Sequence, residues 1–210
     1  MKLYSRNEEI LNTLSHFVGV IIGICLLPII TTSDINYNLK VVEIIYTIGL
    51  ILMFLSSSVY HYLGINYDKH KNILPLFKRI DHAMIFVFIF LTYLPFNMYL
   101  DTTKAKIIQL IVGIVCLVGI ILKIFLAGKF KKVFTLIYII VGWAAIFEIN
   151  DLYTMINHIS LLFLVLGGII YTIGALFYAL AKFKYHHFVW HLFVLVACFL
   201  QFIGVYLLYE

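Results

Sequence analysis

Long apolar runs follow one another along this chain with only short polar interruptions, and their length is the first signal. A helix needs roughly 20 mostly apolar residues to cross a hydrocarbon layer about 30 Å thick. Seven stretches approach or exceed that, at about 14–31, 41–63, 81–100, 106–127, 133–149, 157–180 and 187–208, the fifth being the shortest. The strict alternation that marks a membrane barrel is absent. Between the runs lie "TTSDINYN", "GINYDKHKNILPLFKR", "DTTK", "GKFKK", "INDLY" and "KFKYH", which carry the turn-forming and charged residues. No linker, low-complexity tract or internal repeat divides residues 1–210. The pattern predicts one all-α domain, a polytopic seven-transmembrane helix bundle.

Composition agrees. The 210 residues are 64% hydrophobic and 12% charged, and a mean hydropathy of +1.06 is too high for a water-soluble globule of this size. The start, "MKLYSRNEEILNTLSH", mixes both charge signs, and no small-residue cleavage pattern follows the first apolar run, so no removable signal peptide is expected. Cys25, Cys116 and Cys198 stand singly inside apolar runs and read as small hydrophobes without a disulfide framework.

A net charge of +5 and a pI near 9.0 would suggest nucleic acid in a soluble protein. Here the charge lies in short loops, where it reports orientation and contact with anionic lipid, and no nucleic-acid partner is expected. Lys2, Arg6, Lys69, Lys71, Lys78, Arg79, Lys129, Lys131, Lys132, Lys182 and Lys184 fall on one side; Lys40, Lys104 and Lys106 fall on the other, with Lys123 inside the fourth run. The bias predicts a cytoplasmic N-terminus and an extracellular C-terminus in a multi-pass plasma-membrane protein.

That orientation assigns each polar residue a depth. His61 ends the second run, Asp81 begins the third, and His187 and His191 begin the seventh, all toward the cytoplasmic end, where Asn12 and His16 also fall. The outer half carries fewer such groups, Glu148 and Asp151 being the clearest. Ionisable residues inside a bundle are costly unless they pair or bind something. His187 and His191 are four residues apart, hence on one helical face with Cβ atoms about 6 Å apart, and can ligate one ion. With His61 as a third ligand, the set has the form of a catalytic zinc site that leaves a fourth position open to water. Ser57 shares the helical face of His61 and can place that water, while Asp81 can orient or deprotonate it.

Each residue also has a plainer account. The histidine pair suits a helix end at the interface, Asp81 can pair with Lys78 or Arg79, and serines in "SSS" can bond their own helix. His70, His158 and His186 read as loop or interface residues, and His82, about 100° round the helix from Asp81, as structural. Glu8, Asn12 and His16 form a stripe at i, i+4 and i+8: the glutamate suits a helix start, and the other two can bond neighbouring helices.

"EEILNTLSHFVG", "SSSVYHYL", "RIDHAMIFVFIFLTYLPF" and "HHFVWHLFVLVACFLQFIGVYLL" resemble the bacterial hemolysin III family, the prokaryotic branch of the progestin and adipoQ receptor (PAQR) family, grouped with alkaline ceramidases as membrane metal-dependent hydrolases. The resemblance covers nearly the whole chain. It implies a seven-helix bundle with Zn2+ on His61, His187 and His191 near the cytoplasmic side, and roles for Ser57 and Asp81 around a water there. It also implies an intracellular N-terminus and ceramidase-like lipid amidase chemistry. One departure is mild: Ser15 stands where threonine is expected before His16, which keeps the hydroxyl.

Three functions follow. The first is a zinc-dependent hydrolase of lipid amide or ester bonds, with a membrane lipid as substrate. The second is a sensor or regulator of membrane composition in which zinc is structural and the lipid a ligand. The third is a membrane-lytic, pore-forming hemolysin, against which the lack of any soluble domain in the pattern argues.

Overall fold

A computed structural model describes residues 4–33, 35–126 and 129–208, and among them there is helix and no strand. The helices are α1 (Arg6–Thr32), α2 (Tyr37–Ile65), α3 (Tyr67–His70), α4 (Leu74–Leu100), α5 (Thr103–Leu126), α6 (Lys131–Gly142), α7 (Ile149–Met155), α8 (His158–Leu180) and α9 (His186–Tyr206). Seven spans are long and apolar enough to cross a membrane: α1, α2, α4, α5, the stretch Lys131–Met155, α8 and α9. The predicted bundle is therefore present.

The helices begin earlier than hydropathy alone suggests, and local chemistry explains why. α1 opens with a capping box: the Ser5 side chain accepts from the Glu8 N–H, and Glu8 accepts from the Ser5 N–H at 2.9 Å. α4 opens with Pro75 in its first turn, where a missing N–H costs no helical bond. A polar, capped first turn thus starts α1 early, and a proline-led turn starts α4 early.

The fifth span is broken. α6 stops at Gly142, and a 3₁₀ turn, Ala144–Glu148, leads into α7. The cause comes from α4: the Tyr93 hydroxyl faces the Val141 and Gly142 carbonyls at 2.8 and 2.9 Å and accepts from the Ala145 N–H at 3.0 Å. A side-chain hydroxyl inserted into the ladder is a recognised source of helix breaks. It also satisfies polar backbone that hydrocarbon cannot.

Neighbouring contacts close a ring in the order α1, α2, α4, α6, α8, α9 and back to α1, with α5 packed on α4. Tyr46, Leu50, Phe54, Phe88, Val194 and Cys198 belong to the main core cluster between α2, α4 and α9. A second cluster ties α4, α5 and α6 through Phe86, Val112 and Phe134. Glycine permits the closest approach between α4 and α5: a Cβ on Gly119 would lie 2.3 Å from the fully buried Phe86 ring. Close packing of this kind holds helices together where lipid supplies no hydrophobic drive between them. Large apolar side chains such as Leu110, Phe125 and Leu180 face outward, as lipid-facing positions should.

Candidate metal centre

Three histidines from two helices meet at one end of the ring. His61 lies in the last turns of α2, and His187 and His191 lie one turn apart at the start of α9. His61 Nε2 is 3.1 Å from His187 Nε2, which is 3.2 Å from His191 Nε2. One ligand atom from each of the three lies within 4.8 Å of the other two. A tetrahedral zinc with bonds of about 2.0–2.1 Å holds its ligand atoms roughly 3.3 Å apart. The spacing fits.

Their hydrogen bonds fix which nitrogen faces inward. His61 Nδ1 meets Glu9 Oε2 at 2.6 Å, and His191 Nδ1 meets the Asn12 carbonyl at 3.1 Å. A carboxylate and a carbonyl only accept, so both Nδ1 atoms carry the proton and both Nε2 atoms present lone pairs. Two lone pairs therefore point at His187 Nε2, an arrangement that could hold a cation. A carboxylate or carbonyl behind a ligating imidazole is the usual support of a metal site.

Glu9 is the residue the sequence pattern missed. The stripe through Asn12 and His16 selected Glu8, but Glu8 closes the capping box and accepts from the Tyr185 N–H at 2.9 Å, while its neighbour reaches His61. The signal available was spacing: Glu9 precedes Asn12 by three and His16 by seven, also one helical face. Asn12 bonds across helices as expected through its carbonyl. His16 does not: its ring stacks on His191 with centroids 3.6 Å apart, and neither nitrogen has a partner. Ser15 Oγ lies 3.1 Å from His191 Nδ1, so the hydroxyl before His16 serves the neighbouring helix.

Ser57, buried on α2, and Asp81, on α4, line the same cavity as His187 and His191, and the Ser57 hydroxyl neighbours the Asp81 carboxyl. The expected pairing of Asp81 with Lys78 or Arg79 is not made. Among the described residues, its one basic partner within 4.0 Å is His82, with Nδ1 at 3.8 Å from Oδ2. His82 also lies 2.6 Å from the Lys78 carbonyl, which suits a structural role, yet it too lines the cavity. His186 stays outside the cluster, bonded to the Phe183 carbonyl at 2.8 Å.

The cavity holds about 610 Å³. It runs from Lys78 and Lys131 near one end of the bundle to Tyr93 and Gln201, past the middle of α4 and α9, with Phe88, Ile89, Trp190 and Val194 on its apolar wall. Tyr4 covers part of its histidine end, its ring parallel to His187 within 11° at 4.9 Å. Burial, and then the carboxylates of Glu9 and Glu8, push the Tyr4 phenol well above its usual pKa, so it stays protonated.

A sequence model of proteins described as Haemolysin-III related matches residues 4–202. The chain belongs to this family. Among Haemolysin-III related proteins, it is 34% identical to the Hemolysin-3 homolog of Bacillus subtilis over 197 residues, covering 92% of this chain and 90% of the relative. It is also 34% identical to Hemolysin-3 of Bacillus cereus over 194 residues, covering 90% and 85%. At greater distance, the human Monocyte to macrophage differentiation factor is 26% identical over 169 residues, covering 80% of this chain and 70% of that protein. The match spans every element that contributes to the histidine cluster.

Proposed function

We propose that this Haemolysin-III related protein is a zinc-dependent hydrolase of membrane-lipid amide or ester bonds, with ceramidase-like chemistry. The observation that carries the reading is the meeting of three imidazole Nε2 atoms at the edge of a cavity of about 610 Å³, which His187 and His191 line together with the Asp81 carboxylate and the Ser57 hydroxyl. Zinc on His61, His187 and His191 would supply Lewis acidity to an acyl carbonyl and to water. Asp81 is the proton carrier in this proposal. Its carboxylate accepts a proton from the attacking water and returns it to the departing nitrogen or oxygen. An acyl C–O bond forms to the water oxygen as the acyl C–N or C–O bond breaks. Ser57 orients the water, and the apolar wall holds the acyl chain away from bulk solvent.

The proposal includes orientation. The histidine end coincides with the Lys- and Arg-rich loops, which supports a cytoplasmic N-terminus in the plasma membrane and substrate drawn from the inner leaflet.

Zinc measured by elemental analysis should co-purify with the detergent-solubilised protein and fall sharply in His187→Ala and His191→Ala; equal metal in all three sinks the site. From a set of labelled ceramides and phospholipids, at least one should be cleaved by the zinc-loaded protein, and Asp81→Asn should lower that turnover by about 10²–10⁴-fold. Zinc binding without turnover on any lipid would overturn the hydrolase. The structural-zinc reading would then gain, because the ligands join α2 to α9. The relative named Hemolysin-3 makes dye release from liposomes the matching check on lysis.

A further inference from the structure

Lys123 is an ammonium in an unusual place. It lies within the α5 span, only 4% exposed, and its side chain lines the cavity of the candidate metal centre. Packing fixes its level: α4 and α5 run antiparallel and touch where Phe86 meets Gly119, so one turn further along α5 is one turn back along α4. That brings Lys123 level with Asp81 and His82. Its Nζ sits 3.8 Å over the Phe134 ring and 5.7 Å from the Tyr138 ring centroid. Asp81 attracts it across the cavity, but no described carboxylate oxygen lies within the 4.0 Å of an ion pair. Two ring faces and a distant carboxylate compensate poorly for the water that a buried ammonium gives up.

The rest of the lining has the same sign. Lys78, Arg79, Lys129 and Lys131 reach the cavity as well, against the single carboxylate of Asp81. Lys131 is held by the Tyr178 carbonyl at 3.3 Å, and Arg79 and Lys129 are exposed. Lys78 is half-buried on the α4 turn before Asp81. Lys123 and Lys78 are thus the two cations near Asp81 that the protein withdraws from water.

We propose that Lys123, assisted by Lys78, binds an oxyanion in this cavity, so that the lipid acted on carries a negatively charged phosphate or carboxylate headgroup. The assignment rests on the hydrolase reading for what happens to that lipid. The binding site itself does not. An anionic headgroup against Lys123 leaves the apolar wall for the chain and puts the headgroup-proximal carbonyl level with Asp81 and the histidines. Neutral ceramide leaves Lys123 without a counterion.

Binding can be measured on the detergent-purified chain with three probes: hexadecyl phosphate, hexadecanol and inorganic phosphate. Wild-type protein should bind hexadecyl phosphate about tenfold or more tightly than hexadecanol. Lys123→Met, which keeps length and packing on Phe134, should remove that preference while leaving hexadecanol binding unchanged. Lys123→Arg should retain it. A role for Lys123 confined to supporting Asp81 predicts no change in headgroup preference, and that result overturns the proposal. Inorganic phosphate that binds as tightly as hexadecyl phosphate would also overturn it, since the site would then serve a soluble ion. Charge-selective lipid binding without turnover on any lipid would end the hydrolase reading and leave the anion site standing. Turnover with equal binding of charged and neutral probes would do the reverse.

Discussion

Glu9 on α1 holds the Nδ1–H of His61 on α2 at 2.6 Å, across 52 residues of sequence. Both side chains are buried, His61 completely. The contact fixes the imidazole tautomer, turns the Nε2 lone pair toward α9, and ties the first helix to a site in which it supplies no ligand.

Glu9→Gln should therefore weaken metal binding about 10–100-fold, the usual cost of removing a carboxylate behind a ligating histidine. Competition with a chromophoric chelator reads this directly. The capping box on Glu8 remains intact in this variant, so helix content by circular dichroism should hold.

Ser15→Ala should do much less. His191 Nδ1 faces both Ser15 Oγ and the Asn12 carbonyl, each at 3.1 Å, and the backbone acceptor survives the substitution. The expected cost is that of one ordinary hydrogen bond, about 0.5–1.5 kcal/mol of stability. Metal affinity should fall far less than in Glu9→Gln; an equal loss would show that the hydroxyl, not the carbonyl, sets the tautomer of His191.

Gly119→Ala tests the packing that levels α5 with α4. Its methyl would land 2.3 Å from the Phe86 ring, which is fully buried and has little room to retreat. The expected loss is about 1–3 kcal/mol, seen as a lower thermal midpoint in detergent. Gly142→Ala is the control, because a Cβ there meets nothing within 4 Å.

A cysteine at Lys69, placed in a chain whose own three cysteines are replaced by alanine, reports orientation. A membrane-impermeant thiol reagent should label it in inside-out vesicles and spare it in intact cells. The opposite pattern would reverse the proposed orientation of the chain and place the histidine end outside.

The spans were legible because lipid-facing surface demands long apolar runs, and α1, α2 and α8 leave little doubt in the sequence. The meeting of the three histidines was legible for a different reason. Antiparallel spans bring the end of α2 level with the start of α9, so His61, His187 and His191 share a depth once the spans are counted. Side-chain direction was harder to read. Glu8 and Glu9 are adjacent and chemically alike, and only the register of the capping box decides which one turns inward. The break after Gly142 was hidden as well, since its cause is Tyr93, 49 residues earlier on another helix. Lys123 looked like an exception to a charge count until Phe86 and Gly119 fixed its level.

His61 and His187 are 126 residues apart in the chain, which sets an order of events during synthesis. When His61 enters the membrane, two of the three ligands have yet to be made, and no partial chain ending before α9 can hold a metal at this site with the full set. On the proposed reading, metal capture by this triad comes among the last steps of assembly. If the triad holds a metal as proposed, a chain stalled in translation, or one whose final span fails to insert, would differ from a finished molecule by its lack of it.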